Sequence, residues 1–226
     1  PGTAEDGPVV VASADAEDVD YAQAKRGGEL AVEAAFGERA VLARVGLVLG
    51  PYENIGRLPW WLRRIAHGGD VIAPGPQDLP LQYLDVRDLA NWSLGAVEQG
   101  LSGPYNVVSS PGHTTMGELL ESCVKVTGAD ARLHGVDPET LLAAGVQPWT
   151  GLPIWLPPGE LYDTLYQGDV SKALASGLRC RPVSETVADT WAWLQTTGES
   201  SSIIPPDLGL DPSIEAKILA TVTQDN

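Results

Sequence analysis

Ala40-Val41-Leu42-Ala43-Arg44-Val45-Gly46-Leu47-Val48-Leu49 is an almost uniformly apolar run, and the pair Gly50-Pro51 ends it. Short apolar runs bounded by turn residues are typical of strands in parallel sheets, where helices cover both faces. We therefore predict that this run is a central strand, buried on both faces. The residues before it predict a helix, and a helix that leads into a buried strand indicates an α/β fold.

The helix before the strand is predicted from about Asp18 to Phe36. Asp18 is its expected N-cap, with Asp20 as the alternative, and Gly37 is its expected end. The pair Gly27-Gly28 inside this helix costs about 1 kcal/mol per glycine relative to alanine. We expect such a cost where another backbone packs closely against the helix.

Helices and strands are predicted to alternate along the rest of the chain. The predicted helices are Leu58–Ala66, Asp88–Glu98, a helix from Thr114 or Thr115 to Thr127, Pro138–Ala144, Val170–Ser176, Ser184–Gln195 and Pro212–Thr221, and the predicted strands are Val71–Pro74, Leu81–Val86, Gly103–Val108 and Arg132–Val136. The stretch that follows Ala144, up to Gly168, predicts a long loop. Its Trp149 and Trp155 are candidates for a pocket wall, although a surface loop pinned by aromatic side chains is an equal alternative.

The composition limits the classes of partner. With 30 acidic and 14 basic residues among 226, the formal net charge is -16, which argues against nucleic acid or an anionic membrane as partner. No stretch approaches the ~20 apolar residues of a membrane helix, and no signal peptide is visible at the start. Cys123 and Cys180 lie far apart and predict free thiols in a reducing compartment. We therefore expect a cytoplasmic protein, although the acidic composition by itself indicates no function.

The segment Tyr21-Ala22-Gln23-Ala24-Lys25 places a phenol and an ammonium group four residues apart, on one face of the predicted helix. A nearby cation favours the phenolate, so that such a phenol exchanges protons closer to neutral pH than an ordinary tyrosine, whose pKa is about 10. This chemistry suits a group that accepts a proton from an alcohol while the carbon loses a hydride. Because the spacing also arises by chance in many helices, it needs support from the rest of the chain.

Other kinds of site find less support. His67, His113 and His134 are isolated in sequence and none is spaced with further ligands, so no metal site is predicted. Ser109-Ser110 does not stand in a G-x-S-x-G turn, which argues against a hydrolase triad.

Several segments, taken in order, carry a resemblance to a known family. Tyr21-x-x-x-Lys25 is followed by the strand that ends at Gly50-Pro51, and then by Tyr83-Leu84-Asp85-Val86-Arg87-Asp88-Leu89-Ala90 and Gly103-Pro104-Tyr105-Asn106-Val107. The C-terminal part also carries the resemblance, in the segment Arg181-Pro182-Val183-Ser184-Glu185-Thr186 before a helix that contains tryptophan. This order resembles the extended short-chain dehydrogenase/reductase superfamily, of the NAD-dependent epimerase/dehydratase type.

The resemblance implies roles for particular residues. Tyr21 would be the general acid/base, and Lys25 would favour its phenolate and bind the nicotinamide ribose. Arg44-Val45-Gly46 would lie beside the nicotinamide, with Val45 where the family commonly has proline. Asn54 and Arg57 would face the substrate, and we add Trp149 to the predicted substrate-binding residues as a candidate pocket wall. Asp85 and Asp88 would be structural.

One part of the family pattern is absent. A glycine-rich turn between a strand and a helix holds the cofactor pyrophosphate in this family, within a unit of ~30 residues. No such turn precedes Tyr21, and Ser13 is a weak candidate for the family's substrate-binding Ser or Thr. The resemblance therefore implies an incomplete Rossmann-like parallel sheet, without its N-terminal dinucleotide-binding half, and a smaller helical, loop-rich C-terminal substrate region.

Two hypotheses of different class follow. The first is an NAD- or NADP-dependent oxidoreductase or epimerase/dehydratase that acts on a carbonyl or alcohol. The second is a non-catalytic fragment or interaction protein that keeps the fold without the dinucleotide site. Residues 1–110 are expected to form the Rossmann-like part, 111–200 the substrate region and 201–226 a tail with a short helix. A homodimer, or pairing with a missing N-terminal half, is the expected assembly.

Overall fold

The computed structural model describes residues 10–14, 20–197 and 203–222. The helices are α1 (Tyr21–Phe36), α2 (Arg57–Ala66), α3 (Val86–Glu98), α4 (Met116–Thr127), α5 (Pro138–Ala143), α6 (Glu160–Tyr166), α7 (Ser171–Ala175), α8 (Val183–Thr197) and α9 (Pro212–Val222). The strands are β1 (Val41–Val45), β2 (Leu47–Leu49), β3 (Gly69–Pro74), β4 (Pro80–Leu81), β5 (Tyr83–Asp85), β6 (Gly103–Val107), β7 (Thr114–Thr115), β8 (Ala131–Val136), β9 (Pro148–Trp149) and β10 (Leu152–Pro153). The alternation confirms the predicted α/β fold.

Parallel pairing dominates the strands. β1 pairs with β6, β2 with β5 and β3 with β8, all in parallel. The apolar run at residues 41–49 thus forms two strands with different partners, divided at Gly46. A Cβ atom on Gly46 would lie 2.8 Å from Cγ2 of Val108, so glycine allows the close approach at the point where the partner changes.

The prediction that this run is buried on both faces is wrong. Leu42, Leu47 and Leu49 are buried, whereas Ala43 and Val45 are exposed. Among the described residues, β1 pairs with β6 alone, so its other edge carries no strand. The apolar composition misled the prediction because it does not report whether each face of the strand is covered: Ala43 and Val45 share one face, and that face is exposed.

Helix caps follow the sequence closely. Asp20, the alternative to Asp18, is the N-cap of α1, and its side chain accepts a hydrogen bond from the Gln23 amide at 2.8 Å. Thr115 and Glu118 form the predicted capping box of α4. Asp18 and the rest of residues 15–19 lie outside the described part of the chain.

The two glycines inside α1 differ. A Cβ atom on Gly27 would lie 2.8 Å from the Ser13 carbonyl oxygen, as expected for close backbone packing, whereas a Cβ atom on Gly28 would meet nothing within 4 Å. The packing explanation therefore holds for Gly27 alone.

The predicted long loop up to Gly168 is wrong in part, because it contains β9, β10 and α6. Aromatic side chains tie this segment to the core. Trp155 is buried and its indole N–H donates to the Gly75 carbonyl oxygen at 3.0 Å, so it does not form a pocket wall. Tyr162 and Tyr166 on α6 donate to backbone oxygens of Pro80 and Ile154.

The described part of the chain has two clusters of buried apolar side chains. The larger gathers α2, α4, α8 and β3 around Trp61, Ile72 and Leu119. The smaller lies between α3 and β6, around Trp92 and Tyr105. Among the described helices, none combines the length and apolar character that crossing a bilayer requires.

Candidate functional site

One cavity of about 750 Å³ brings together most of the residues that the sequence singles out. It lies where β1 and β2 end, beside the first turns of α1 and α2. Its lining residues are Tyr21, Val45, Gly46, Leu47, Val48, Leu49, Gly50, Pro51, Tyr52, Glu53, Asn54, Ile55, Arg57, Val86, Trp149 and Leu165. Six of the eight predicted site residues are in this set, and the two that are absent are Lys25 and Arg44.

Tyr21 is the first residue of α1, directly after its cap Asp20. The side chain is 79% exposed and borders the cavity. The Lys25 ammonium nitrogen lies 5.3 Å from the centre of the Tyr21 ring, on the same face of the helix. This is a cation–π contact between the two residues at the surface of the helix.

Arg44 points away from the cavity and forms a two-point ion pair with Glu29 of α1. Its Nε and Nη2 atoms donate to the two Glu29 carboxylate oxygens at 2.7 and 2.9 Å. These hydrogen bonds, with a weaker contribution from Arg26, hold the pKa of Glu29 below its ordinary value. Arg44 thus ties α1 to β1, which keeps Tyr21 beside the strand end at Val45 and Gly46.

Arg57 and Trp149 line the same cavity. The Arg57 guanidinium carbon lies 4.7 Å from the centre of the Trp149 ring, which is a cation–π contact. The Arg57 Nε atom is buried, and no hydrogen-bond partner for it is present within the described part of the chain. Trp149 has a φ of +70°, which is a strained backbone conformation for a bulky residue. Asn54 borders the cavity on the loop before α2.

Glu53 is a member of this site that the sequence analysis missed. Its carboxylate oxygens accept hydrogen bonds from the amides of Arg57 at 2.7 Å and Leu58 at 3.2 Å. Burial raises the pKa of Glu53 to about 7, against the opposing effect of these amides and of the Arg57 charge. The pair Glu53-x-x-x-Arg57 just before a helix is the signal that could have identified it.

Asp85 and Asp88 lie outside the cavity lining and hold the fold together, as the resemblance implies. The Asp85 side chain caps α3 through the Arg87 amide and also accepts from the Arg87 guanidinium. Although burial pushes the pKa of Asp85 upward, these hydrogen bonds keep it below its ordinary value. Asp88 accepts from Arg181, which joins α3 to the segment before α8.

A second cavity of about 790 Å³ lies between α2 and α9. Trp60, Arg64 and Glu215 are among its lining residues, and none of the predicted site residues borders it. Ser13 is absent from the lining of both cavities.

Comparison with known proteins gives a family match for part of the chain, and a fold. The family model described as NAD dependent epimerase/dehydratase matches residues 6–108. Among curated proteins, none matches the chain.

Solved structures with a similar fold include the following three. WbmF from Bordetella bronchiseptica, in complex with NAD+, has a TM-score of 0.57 at 17% identity, with 95% of this chain and 61% of that one covered. RMD from Pseudomonas aeruginosa, complexed with NADPH, has a TM-score of 0.56 at 17% identity, with 79% and 56% covered. UDP-glucose 4-epimerase from Thermotoga maritima, with UDP-glucose, has a TM-score of 0.51 at 19% identity, with 76% and 51% covered.

At these identities the structural likeness shows the fold alone. The chain spans 51% to 61% of the length of these three structures, so it corresponds to a part of their fold. The resemblance to the NAD dependent epimerase/dehydratase family is confirmed, and residues 6–108 carry that family's sequence pattern.

Proposed function

We propose that this chain forms the catalytic and substrate-facing part of an NAD- or NADP-dependent epimerase, dehydratase or reductase that acts on a carbonyl or alcohol group of a small molecule. The observation that carries the proposal is the convergence of Tyr21, the strand end Val45-Gly46 and Arg57 on one cavity. These residues are distant in sequence, and an accidental Tyr-x-x-x-Lys spacing would not bring them together.

In this proposal, two residues of α1, Tyr21 and Lys25, carry out the proton transfer. The Tyr21 phenolate oxygen takes the proton of the substrate hydroxyl, and in the reverse direction the phenol returns it to the carbonyl oxygen. Lys25 supplies the positive charge next to the phenol, because its ammonium lies 5.3 Å from the centre of the Tyr21 ring. Tyr21 is exposed at the rim, so its oxygen can reach a bound substrate without first opening the fold.

The cofactor would supply hydride transfer. The described residues suit its nicotinamide end, since Val45 and Gly46 offer an apolar and unobstructed surface beside Tyr21. They do not suit its pyrophosphate, because the glycine-rich turn is absent from the sequence before Tyr21. We infer that the pyrophosphate would need a polypeptide segment beyond these 226 residues or from a partner chain.

The substrate would occupy the part of the cavity that Arg57 and Trp149 line. The Arg57 guanidinium, which lies over the Trp149 ring, can donate hydrogen bonds to a polar or anionic substrate group. Trp149 and Leu165 come from the region 111–200, which agrees with our proposal that this region contributes to substrate specificity. The cytoplasmic location and the homodimer stay predictions.

The test of this function is the variant Tyr21→Phe, made in the full gene product. Loss of the phenol oxygen should reduce turnover about 10²- to 10⁴-fold, while binding of NAD or NADP stays within a factor of a few. Tyr105→Phe is the matched control, because Tyr105 lies on β6 away from the cavity. Equal turnover of Tyr21→Phe and the parent would contradict the proposed role.

The alternative is a chain that keeps this fold but binds no dinucleotide, and the absent glycine-rich turn favours it. Titration of the chain with NAD and with NADP, followed by tryptophan fluorescence, separates the two hypotheses. Saturable binding at micromolar concentration supports the enzyme. Absence of binding, also in the full gene product, supports the alternative.

A further inference from the structure

The cavity described above has an uneven distribution of charge. Among its described lining residues, Glu53 and Arg57 carry the formal charges, and the remainder are apolar or neutral. The two residues are four positions apart, at the entry to α2. The electrostatic character of the cavity therefore depends on this one pair.

Glu53 replaces a missing helix cap. The residue at the cap position of α2 is Gly56, which has a φ of +81° and no side chain to accept a hydrogen bond. Gly56 is also wedged in place, because a Cβ atom there would lie 2.7 Å from the Ile203 carbonyl oxygen. The Glu53 carboxylate instead accepts from the free amides of Arg57 and Leu58 at the first turn.

Arg57 is held at three points as a result. Its amide is bonded to Glu53, its positive charge is attracted by the same carboxylate, and its guanidinium lies on the Trp149 ring. Trp149 in turn has a strained backbone, so its position is set by the surrounding structure and not by local preference. A change in the charge of Glu53 is therefore expected to alter the position of the Arg57 guanidinium on the Trp149 ring.

We propose that Glu53 is a positioning residue of this site, which holds the first turn of α2 and thereby keeps the Arg57 guanidinium on Trp149. The proposal rests on the proposed function only in taking this cavity as the substrate site. The burial that raises the pKa of Glu53 to about 7 supports it, because the carboxylate would lose its charge within the neutral range. Protonation weakens both the cap and the attraction for Arg57, and so frees the guanidinium.

The other titratable groups around Glu53 can be distinguished from it. Tyr21 faces the cavity from α1, Tyr52 from the loop and Arg57 from α2. Behind Arg57 on α6 lies Tyr166, whose pKa burial raises far above neutrality, and its hydroxyl donates to the Ile154 carbonyl oxygen. Within the described lining there is no histidine and no second carboxylate, so a titration near neutral pH belongs to Glu53.

The experiment is fluorine NMR of the protein labelled with 5-fluorotryptophan, with the Trp149 resonance assigned by Trp149→Phe. In the wild-type protein the Trp149 resonance should shift with pH, with a midpoint of about 7. The shift should vanish in Glu53→Gln, and it should shrink severalfold in Arg57→Met, which removes the cation from the ring. Trp61 and Trp155, both buried in the core, report whether each variant keeps its fold.

Glu118→Gln is the matched control, because Glu118 also binds the amide end of a helix, on α4, outside this cavity. The Trp149 titration should persist in that variant. A wild-type Trp149 resonance that does not move across the neutral pH range would overturn the proposal, even where Glu53→Gln fails to fold. A titration that survives in Glu53→Gln or is unchanged in Arg57→Met would also overturn it. Because this readout needs neither cofactor nor turnover, its failure is separate from failure of the proposed function.

Discussion

At the scale of single residues, Glu53 has a cost as well as a use. A partly buried carboxyl whose pKa is about 7 in the folded chain, against an ordinary value of 4.5, binds its proton more tightly when the chain is folded. Its contribution to the unfolding free energy is full below about pH 4.5 and is lost as the pH rises through about 7. The ionised carboxylate is therefore retained at neutral pH at the expense of stability.

This argument predicts the behaviour of Glu53→Gln. Relative to the variant, the wild-type protein should lose unfolding free energy between about pH 5 and pH 8, by at most ~3 kcal/mol because the side chain is in part exposed. Urea unfolding of both proteins at the two pH values measures the difference. A difference that is independent of pH, or that grows in the opposite direction, would show that the Glu53 carboxyl is not desolvated.

Gly56 gives a second prediction at this scale. It combines a φ of +81° with backbone atoms of Ile203 and Ile204 within 3 Å of the Cβ position, whereas Gly100 has a φ of +64° and open space around it. Gly100→Ala should cost ~1 kcal/mol for the left-handed conformation alone. Gly56→Ala should cost at least twice as much, since overpacking adds to the strain. Thermal unfolding of the two variants measures both losses of stability. Equal losses would mean that residues 203–204 move aside to admit the Cβ atom.

At the scale of elements, the buried Asp85 carboxylate links α3 to α8. It accepts from the Arg87 guanidinium at 2.8 Å and from the Thr186 hydroxyl at 2.8 Å, and Arg87 also binds Asp189 on α8. Asp85 and Thr186 are almost completely buried. A charged group in such a place is stable only while its hydrogen bonds are complete.

Thr186→Val therefore tests this link. The valine has the same shape but removes one donor from a buried carboxylate, which should lower the unfolding free energy by ~1–3 kcal/mol. Thr190→Val is the matched control on the same helix, because its equally buried hydroxyl donates to the Thr186 carbonyl oxygen within the helix. The control should lose less than half as much in urea unfolding. Equal losses of unfolding free energy would show that the hydrogen bond to Asp85 stabilises the fold no more than the hydrogen bond within the helix.

The elements also show what the sequence can and cannot predict. Caps were predictable from local chemistry, as at Asp20 and Thr115, because a cap is decided within four residues. The division of the apolar run at Gly46 was not predictable, because it depends on Val108 and on strands more than thirty residues away. The α6 helix was missed because its stability comes from buried Tyr162 and Tyr166, and not from a helical pattern.

The candidate site divides in the same way. Tyr21 and Lys25 could be predicted because one helical turn fixes their spacing, and the structure keeps them on one face. Glu53 was missed because the spacing Glu53-x-x-x-Arg57 indicates a contact with the start of a helix but does not report that tertiary packing partly buries the carboxylate there. The resemblance implied that Arg44 lies beside the cofactor, whereas its side chain pairs with Glu29 and is absent from the cavity lining. Alternation along a strand decides such a choice, and an apolar run conceals it.

At the scale of the whole molecule, the site lies between α1, which buries few residues, and α2, which belongs to the large core. In α4, Met116, Gly117, Leu119, Leu120 and Cys123 are buried, whereas α1, although longer, buries Gly27 alone among its residues. The residues proposed for catalysis therefore stand on a lightly packed helix, held to the strand by Glu29 and Arg44. Opposite them, Arg57 stands on α2, which is part of the large core.

This asymmetry predicts the pattern of amide hydrogen exchange. Local opening costs less free energy where few apolar side chains are buried, so amides of α1 should exchange at least tenfold faster than those of α4. Mass spectrometry of peptides covering Tyr21–Phe36 and Met116–Thr127 measures both in one sample, and each serves as the reference for the other. Glu29→Gln should accelerate α1 further without affecting α4, because the two-point bond with Arg44 becomes weaker. Equal protection of the two helices would mean that α1 is covered by another surface in solution, and Tyr21 would then be shielded from a substrate.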